Sequence, residues 1–162
     1  MSLLNVLNWL QHTWWAVGIK QSDFVFPLIE GSHILSLSFS VGMVMILDMR
    51  LLRLSFRSQT VSSMMEQLMP WTLAGFGVMF LTGMLLFAAQ AVKVYGNTFF
   101  RIKMILMVLA GLNALYYQLR YYPKMAEWEQ ARTPAGVRAI AVLSLVFWIG
   151  VIACGRTMAY EL

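Results

Sequence analysis

Between Phe24 and Leu47 almost every residue is apolar, and three further runs of that kind follow. The first span is expected over 24–48, closing on Asp48-Met49-Arg50. The second lies in the charge-free interval between Glu66 and Lys93, with Pro70 placed near its start, where proline is tolerated. The third covers 99–119, with Arg101 and Lys103 close enough to its beginning to snorkel. The fourth lies between Arg138 and Arg156. Each run is near the ~20 residues a helix needs to cross a ~30 Å hydrocarbon core.

The N-terminal stretch has a different period. Leu3, Leu7, Leu10, Trp14 and Val17 recur at helical spacing, with Asn5, Asn8 and His12 on the other side. It lacks a basic leader and a small-residue cleavage site. Trp9, Trp14 and Trp15 suit a helix lying at headgroup level. The expected architecture is all-α: an interfacial amphipathic helix over 1–21, then a four-helix transmembrane bundle over 22–162. The linkers are short and leave no soluble domain.

Composition supports that class. Of 162 residues, 60% are apolar and 12% charged, and the mean hydropathy is +0.69, outside the soluble globular range. The net charge of +5 does not point to nucleic acid, because the basic residues bracket the apolar runs and so suit lipid headgroups and topology signalling. Arg50, Arg53 and Arg57 fall in one loop, and Arg120, Lys124, Arg132 and Arg138 in the other on that side. Lys20, Lys93, Arg101, Lys103 and Arg156 lie opposite. The bias places the 49–67 and 120–138 loops in the cytoplasm and both termini outside an inner membrane. The single cysteine, Cys154, excludes an intrachain disulfide and reads as a small buried hydrophobe. Most of the 13 methionines, Met43, Met45, Met49, Met64, Met65 and Met69 among them, read as gap-filling side chains.

Candidate chemistry begins with Glu30 and His33, one helical turn apart inside the first run. A charged residue at mid-membrane costs roughly 2.5–3.5 kcal/mol on the insertion scale, and less near the boundary. With Leu37 and Ser40 they share one side of the helix. Lys103 and Arg156 fall at the same membrane face, so the four could enclose a pocket with excess positive charge. Such a pocket suits haem propionates or a quinone carbonyl, with His33 as axial metal ligand or hydrogen-bonding group. A second axial ligand would have to come from His12, the one other histidine, or from a methionine. The plainer alternative is that Glu30 and His33 pair locally, while Ser32, Ser36 and Ser40 pack helices closely. Asp48 with Arg50 and Arg53 reads as a helix-end ion pair, Asn113 as interhelical glue, and Gly75, Gly77, Gly83 and Gly111 as close-packing positions. Nucleotide loops, zinc motifs and Ser-His-Asp arrangements are absent from the sequence.

The stretch Ser22-Asp23-Phe24-Val25-Phe26-Pro27-Leu28-Ile29-Glu30-Gly31-Ser32-His33, followed by Asp48-Met49-Arg50-Leu51-Leu52, resembles an uncharacterised bacterial family of small four-helix membrane proteins. Pro70-Trp71, Thr82-Gly83, Lys103, Gly111-Leu112-Asn113-Ala114 and Gly155-Arg156 extend the resemblance over most of the chain. It implies an inner-membrane protein with Glu30 and His33 as family features, and supplies no activity. Members of that family often carry a histidine just after the Asn-Ala of the third span, where this chain has Tyr116-Tyr117-Gln118. Two functions follow as expectations. One is a b-type haem or quinone protein handling electrons near the outer leaflet, with His33, Glu30, Lys103, Arg156 and His12 as site candidates. The other is a cofactor-free accessory subunit whose polar cluster fixes helix register. Lipids and a homo-oligomer or larger membrane complex are the expected partners. Solute transport ranks below both, since the polar residues gather mainly at one end.

Overall fold

A computed structural model describes residues 3–129 and 133–161. Four long helices form the body: α3 (Val25–Leu51), α4 (Val61–Ala89), α6 (Thr98–Arg120) and α8 (Ala135–Glu161). All four are long and apolar enough to cross a membrane. Short helices fill the ends: α1 (Leu3–Gln11), α2 (Trp14–Gln21), α5 (Ala91–Gly96) and α7 (Met125–Trp128), the last preceded by a 3₁₀ turn over Tyr122–Lys124. Arg132, counted among the loop charges, lies outside the described residues.

The long helices alternate in direction. One end of the bundle, the terminal end, therefore collects α1, α2, α5 and the last turn of α8. The other, the arginine end, collects the 52–60 connection, the 3₁₀ turn and α7. Around the bundle the neighbours run α4, α3, α8, α6. Pairs α3–α4 and α6–α8 pack most closely, and α3–α8 joins them. Among the described residues no Cα of α4 comes within 8 Å of one of α6. Side chains bridge that gap at the terminal end, where Phe87 and Phe100 stack at 5.5 Å. Phe76 of α4 stacks on Trp148 of α8 at 5.1 Å.

Helix starts follow ordinary capping chemistry. The Thr60 side chain accepts from the Ser63 amide ahead of α4, and Asn97 accepts from Phe100 ahead of α6. Glu129 places a carboxylate on the Ser62 amide, where the dipole of α4 favours negative charge. Because α4 begins at Val61, Pro70 lies in the interior of the helix and not near its start. Proline has no N–H for the Glu66 carbonyl, a loss that membrane helices tolerate when neighbours compensate.

The expected single N-terminal helix is broken at His12-Thr13. The Thr13 hydroxyl donates to the Leu10 carbonyl and closes α1, and α2 then starts afresh. Leu7 and Ala16 are buried, and Gln11 accepts from the Val92 amide, so α1 docks on α5. Trp9 and Trp14 remain exposed.

The best-packed core sits at the arginine end, where Leu51, Val61, Met65, Tyr117, Trp128 and Val137 meet. The lipid-facing sides carry large exposed apolar residues, most densely on α6. In a bilayer these are solvated by acyl chains and need no protein cover.

Candidate functional site

His33 is held from α4. Its Nδ1 lies 3.0 Å from the Met79 carbonyl oxygen and 3.1 Å from Thr82 Oγ1. A carbonyl only accepts, so Nδ1 carries the proton and Nε2 of the neutral ring is left with a free lone pair. Thr82 has its own acceptors, the Val78 and Met79 carbonyls, and can therefore receive from Nδ1. Gly83 makes the approach possible: a Cβ there would stand 3.0 Å from His33 Cε1.

Lys103 reaches the same level from α6. Its charge acts on the His33 ring, and Cys154 of α8 is its own electrostatic neighbour. The aliphatic stem crosses Gly155, where a Cβ would stand 3.7 Å from Nζ. The depths agree: His33 is about 12 Å along α3 from its start and Lys103 about 8 Å along α6, at about 1.5 Å per residue. All four long helices thus contribute here; a side chain at Gly83 would crowd His33, whereas one at Gly155 would meet Lys103 at ordinary contact distance.

The other site candidates are placed elsewhere. Glu30 is exposed on the bundle surface. Arg156 is exposed, donates to the Tyr160 hydroxyl at 2.9 Å and lies over that ring. His12 is exposed on the α1–α2 break, its Nδ1 2.7 Å from the Asn8 carbonyl. So the structure brings His33 and Lys103 together, and turns Arg156 and His12 to partners of their own.

A second polar group lies at the arginine end, and it differs from the ion pair expected there. Asp48 is only 5% exposed, and the Ser144 hydroxyl of α8 serves as its hydrogen-bonding partner. Its Oδ2 has no partner among the described residues. Arg50, also 5% exposed, donates Nε to the Gln59 carbonyl at 2.6 Å. The expected Asp48–Arg50 helix-end pair is thus replaced by Asp48–Ser144 and Arg50–Gln59. The Tyr117 hydroxyl points at the sulfurs of Met65 and Met125. Asn113 acts as glue, donating Nδ2 to the Ile140 carbonyl at 3.0 Å. Between the two ends the buried side of α3 carries Ser36 and Ser40. A sequence signal for the Asp48 site existed in the D-x-R spacing, but nothing in it singles out Ser144.

Fold and site together define a multi-pass helical membrane protein with half-buried His33 and Lys103 at one end of its bundle and buried Asp48 and Arg50 at the other. Residues 9–161 match the family of unknown function DUF6644, and the chain belongs to that family. This agrees with the resemblance to an uncharacterised family. No curated protein and no solved structure matches the chain.

Proposed function

We propose that the His33–Lys103 cluster binds the headgroup of a membrane quinone. The observation that carries this reading is the Nδ1 bond to the Met79 carbonyl, which turns His33 into a fixed acceptor at Nε2. Lys103 supplies the complement, since an ammonium only donates. A quinone carbonyl accepts from the lysine, and a quinol hydroxyl donates to the imidazole, so both redox forms find a partner. The cluster lies about one to two helical turns inside the bundle, at a depth a lipid-soluble ring reaches without crossing water.

Haem fits less well. His33 Nε2 offers one axial ligand, but His12 is exposed on another element and already hydrogen-bonded. The chain thus supplies one histidine where a six-coordinate b-type haem would take two. In the orientation set by the arginine-rich loops, the site faces the outer leaflet of an inner membrane, and a partner subunit would exchange electrons with the bound ring.

An accessory role without any ligand has one observation in its favour: the His33 bonds to α4 also tie two helices together. The experiment separates the readings. Protein purified in mild detergent is scanned with and without dithionite, and its organic extract is analysed for quinone. Stoichiometric quinone that falls severalfold in His33→Ala and Lys103→Met, with unchanged elution profile, supports the proposal. A Soret band would replace it with the haem reading. No quinone and no Soret band would leave the accessory role.

A further inference from the structure

At the arginine end, Arg50, Arg53, Arg57 and Arg138 line one open recess together with Leu52, Leu54 and Thr133. Its volume is about 520 Å³, inside the range of about 300–1,000 Å³ typical of small-ligand sites. Among the described residues the lining holds four guanidiniums and no carboxylate. Topology signalling requires arginines on this side of the membrane. It does not require them to converge on one hollow, where each raises the energy of the others.

The backbone builds the convergence. Arg53 and Phe56 take left-handed conformations, φ 60° and 56°, which non-glycine residues rarely adopt. Beside this bend Arg57 donates Nε to the Arg53 carbonyl at 2.7 Å, and Arg50 donates Nε to the Gln59 carbonyl. Both bonds use Nε, so the terminal nitrogens of those two forks are not spent on them. Arg138 comes from the first turns of α8. Glu129 is the carboxylate that acts on Arg50, and its Oε2 already accepts from Ser62. Positive charge therefore exceeds negative around the hollow.

We propose that this recess is a binding site for a phosphate group, carried by an anionic phospholipid or by a small phosphorylated solute. Guanidinium forks match phosphate oxygens in pairs. The site lies at the ends of the spans, the level at which lipid phosphates sit. Leu54, 66% exposed, and Leu52 give it an apolar flank on which glycerol or an acyl chain can lie.

The test uses the full chain, stripped of lipid in detergent, and native mass spectrometry backed by thermal-shift titration. The probes are dioleoyl phosphatidylglycerol, dioleoyl phosphatidylcholine and inorganic phosphate. The variants are Arg57→Gln/Arg138→Gln, both exposed positions, and Arg120→Gln/Lys124→Gln, which removes equal charge from the same end outside the recess. Saturable binding is expected to weaken roughly fivefold for each recess arginine lost, about 25-fold in the pair, and little in the control. Saturation by phosphatidylglycerol but not by inorganic phosphate assigns the phosphate to lipid, and saturation by inorganic phosphate assigns it to a solute. The single variants give the same ranking if the pair elutes as misfolded protein. Absence of saturable binding, or equal weakening in both pairs, overturns the proposal.

Discussion

Replacing Gly75 by alanine tests how closely α3 and α4 approach. An added Cβ at that position would overlap Ser40 Oγ, and would stand 3.2 Å from Phe39 Cδ1 and 3.5 Å from Ser40 Cβ. Ser40 is 0% exposed, and its hydroxyl has no hydrogen-bond partner among the described residues. The new methyl must therefore displace a fully buried side chain or push the two helices apart. Overpacking of that kind costs about 1–3 kcal/mol. Ser40→Ala removes the overlapping oxygen and leaves an ordinary contact between two Cβ atoms. On its own it should be close to neutral, because the lost hydroxyl was unpaired. In the Ser40→Ala background the cost of Gly75→Ala should then fall by about 1–2 kcal/mol. A double-mutant cycle, with unfolding followed by circular dichroism in mixed micelles of increasing SDS fraction, measures that coupling. If Gly75→Ala costs the same in the Ser40→Ala background as in the unaltered chain, within about 0.3 kcal/mol, the close approach does not govern stability and the reasoning fails.

Three other substitutions probe the polar groups. Ser144→Ala should destabilise the fold by about 1–3 kcal/mol by stripping the buried Asp48 carboxyl of its partner, and should be near neutral in an Asp48→Ala background, measured by the same unfolding assay. Asn113→Ala should cost about 0.6 kcal/mol, the usual worth of an interhelical hydrogen bond in lipid; a loss above about 2 kcal/mol would mean that Asn113 does more than bond Ile140. Gly83→Ala should leave expression and elution unchanged yet lower quinone content, though less than His33→Ala does, because a Cβ 3.0 Å from Cε1 crowds the imidazole against Met79. Unaltered quinone content in purified Gly83→Ala would show that ring placement is not required.

Hydropathy made the four spans legible, because crossing a hydrocarbon core constrains length and polarity so strongly. It also put His33 and Lys103 at one level, since alternating helices bring the start of the first span beside the start of the third. Rotation about each helix axis was much less legible. In lipid a helix is apolar all round, so no hydrophobic stripe marks its buried side. For that reason the sequence could not foresee that Arg156 lies on an exposed face, or that Asp48 meets Ser144 from a helix distant in the chain. The break at His12-Thr13 depends on one hydroxyl reaching the Leu10 carbonyl, a local bond that competes with helix continuation without altering the apolar period. The place of Pro70 differs because the charge-free interval begins only after Glu66, whereas α4 extends back through Glu66 to Val61 under the cap of Thr60.

The pairing of α3 with α4 and of α6 with α8 has a consequence for how the protein is made. The two helices of each close pair are consecutive spans, so the α3–α4 hairpin can leave the insertion machinery before α6 and α8 are synthesised. What remains is one lateral docking step, α3 against α8, with the Phe87–Phe100 stack as its latch. The short α5 segment, on the bundle's edge, is then a seam. Two coexpressed fragments divided there would be expected to find each other in the bilayer, and the His33–Lys103 cluster, drawn from both halves, would exist only once they had.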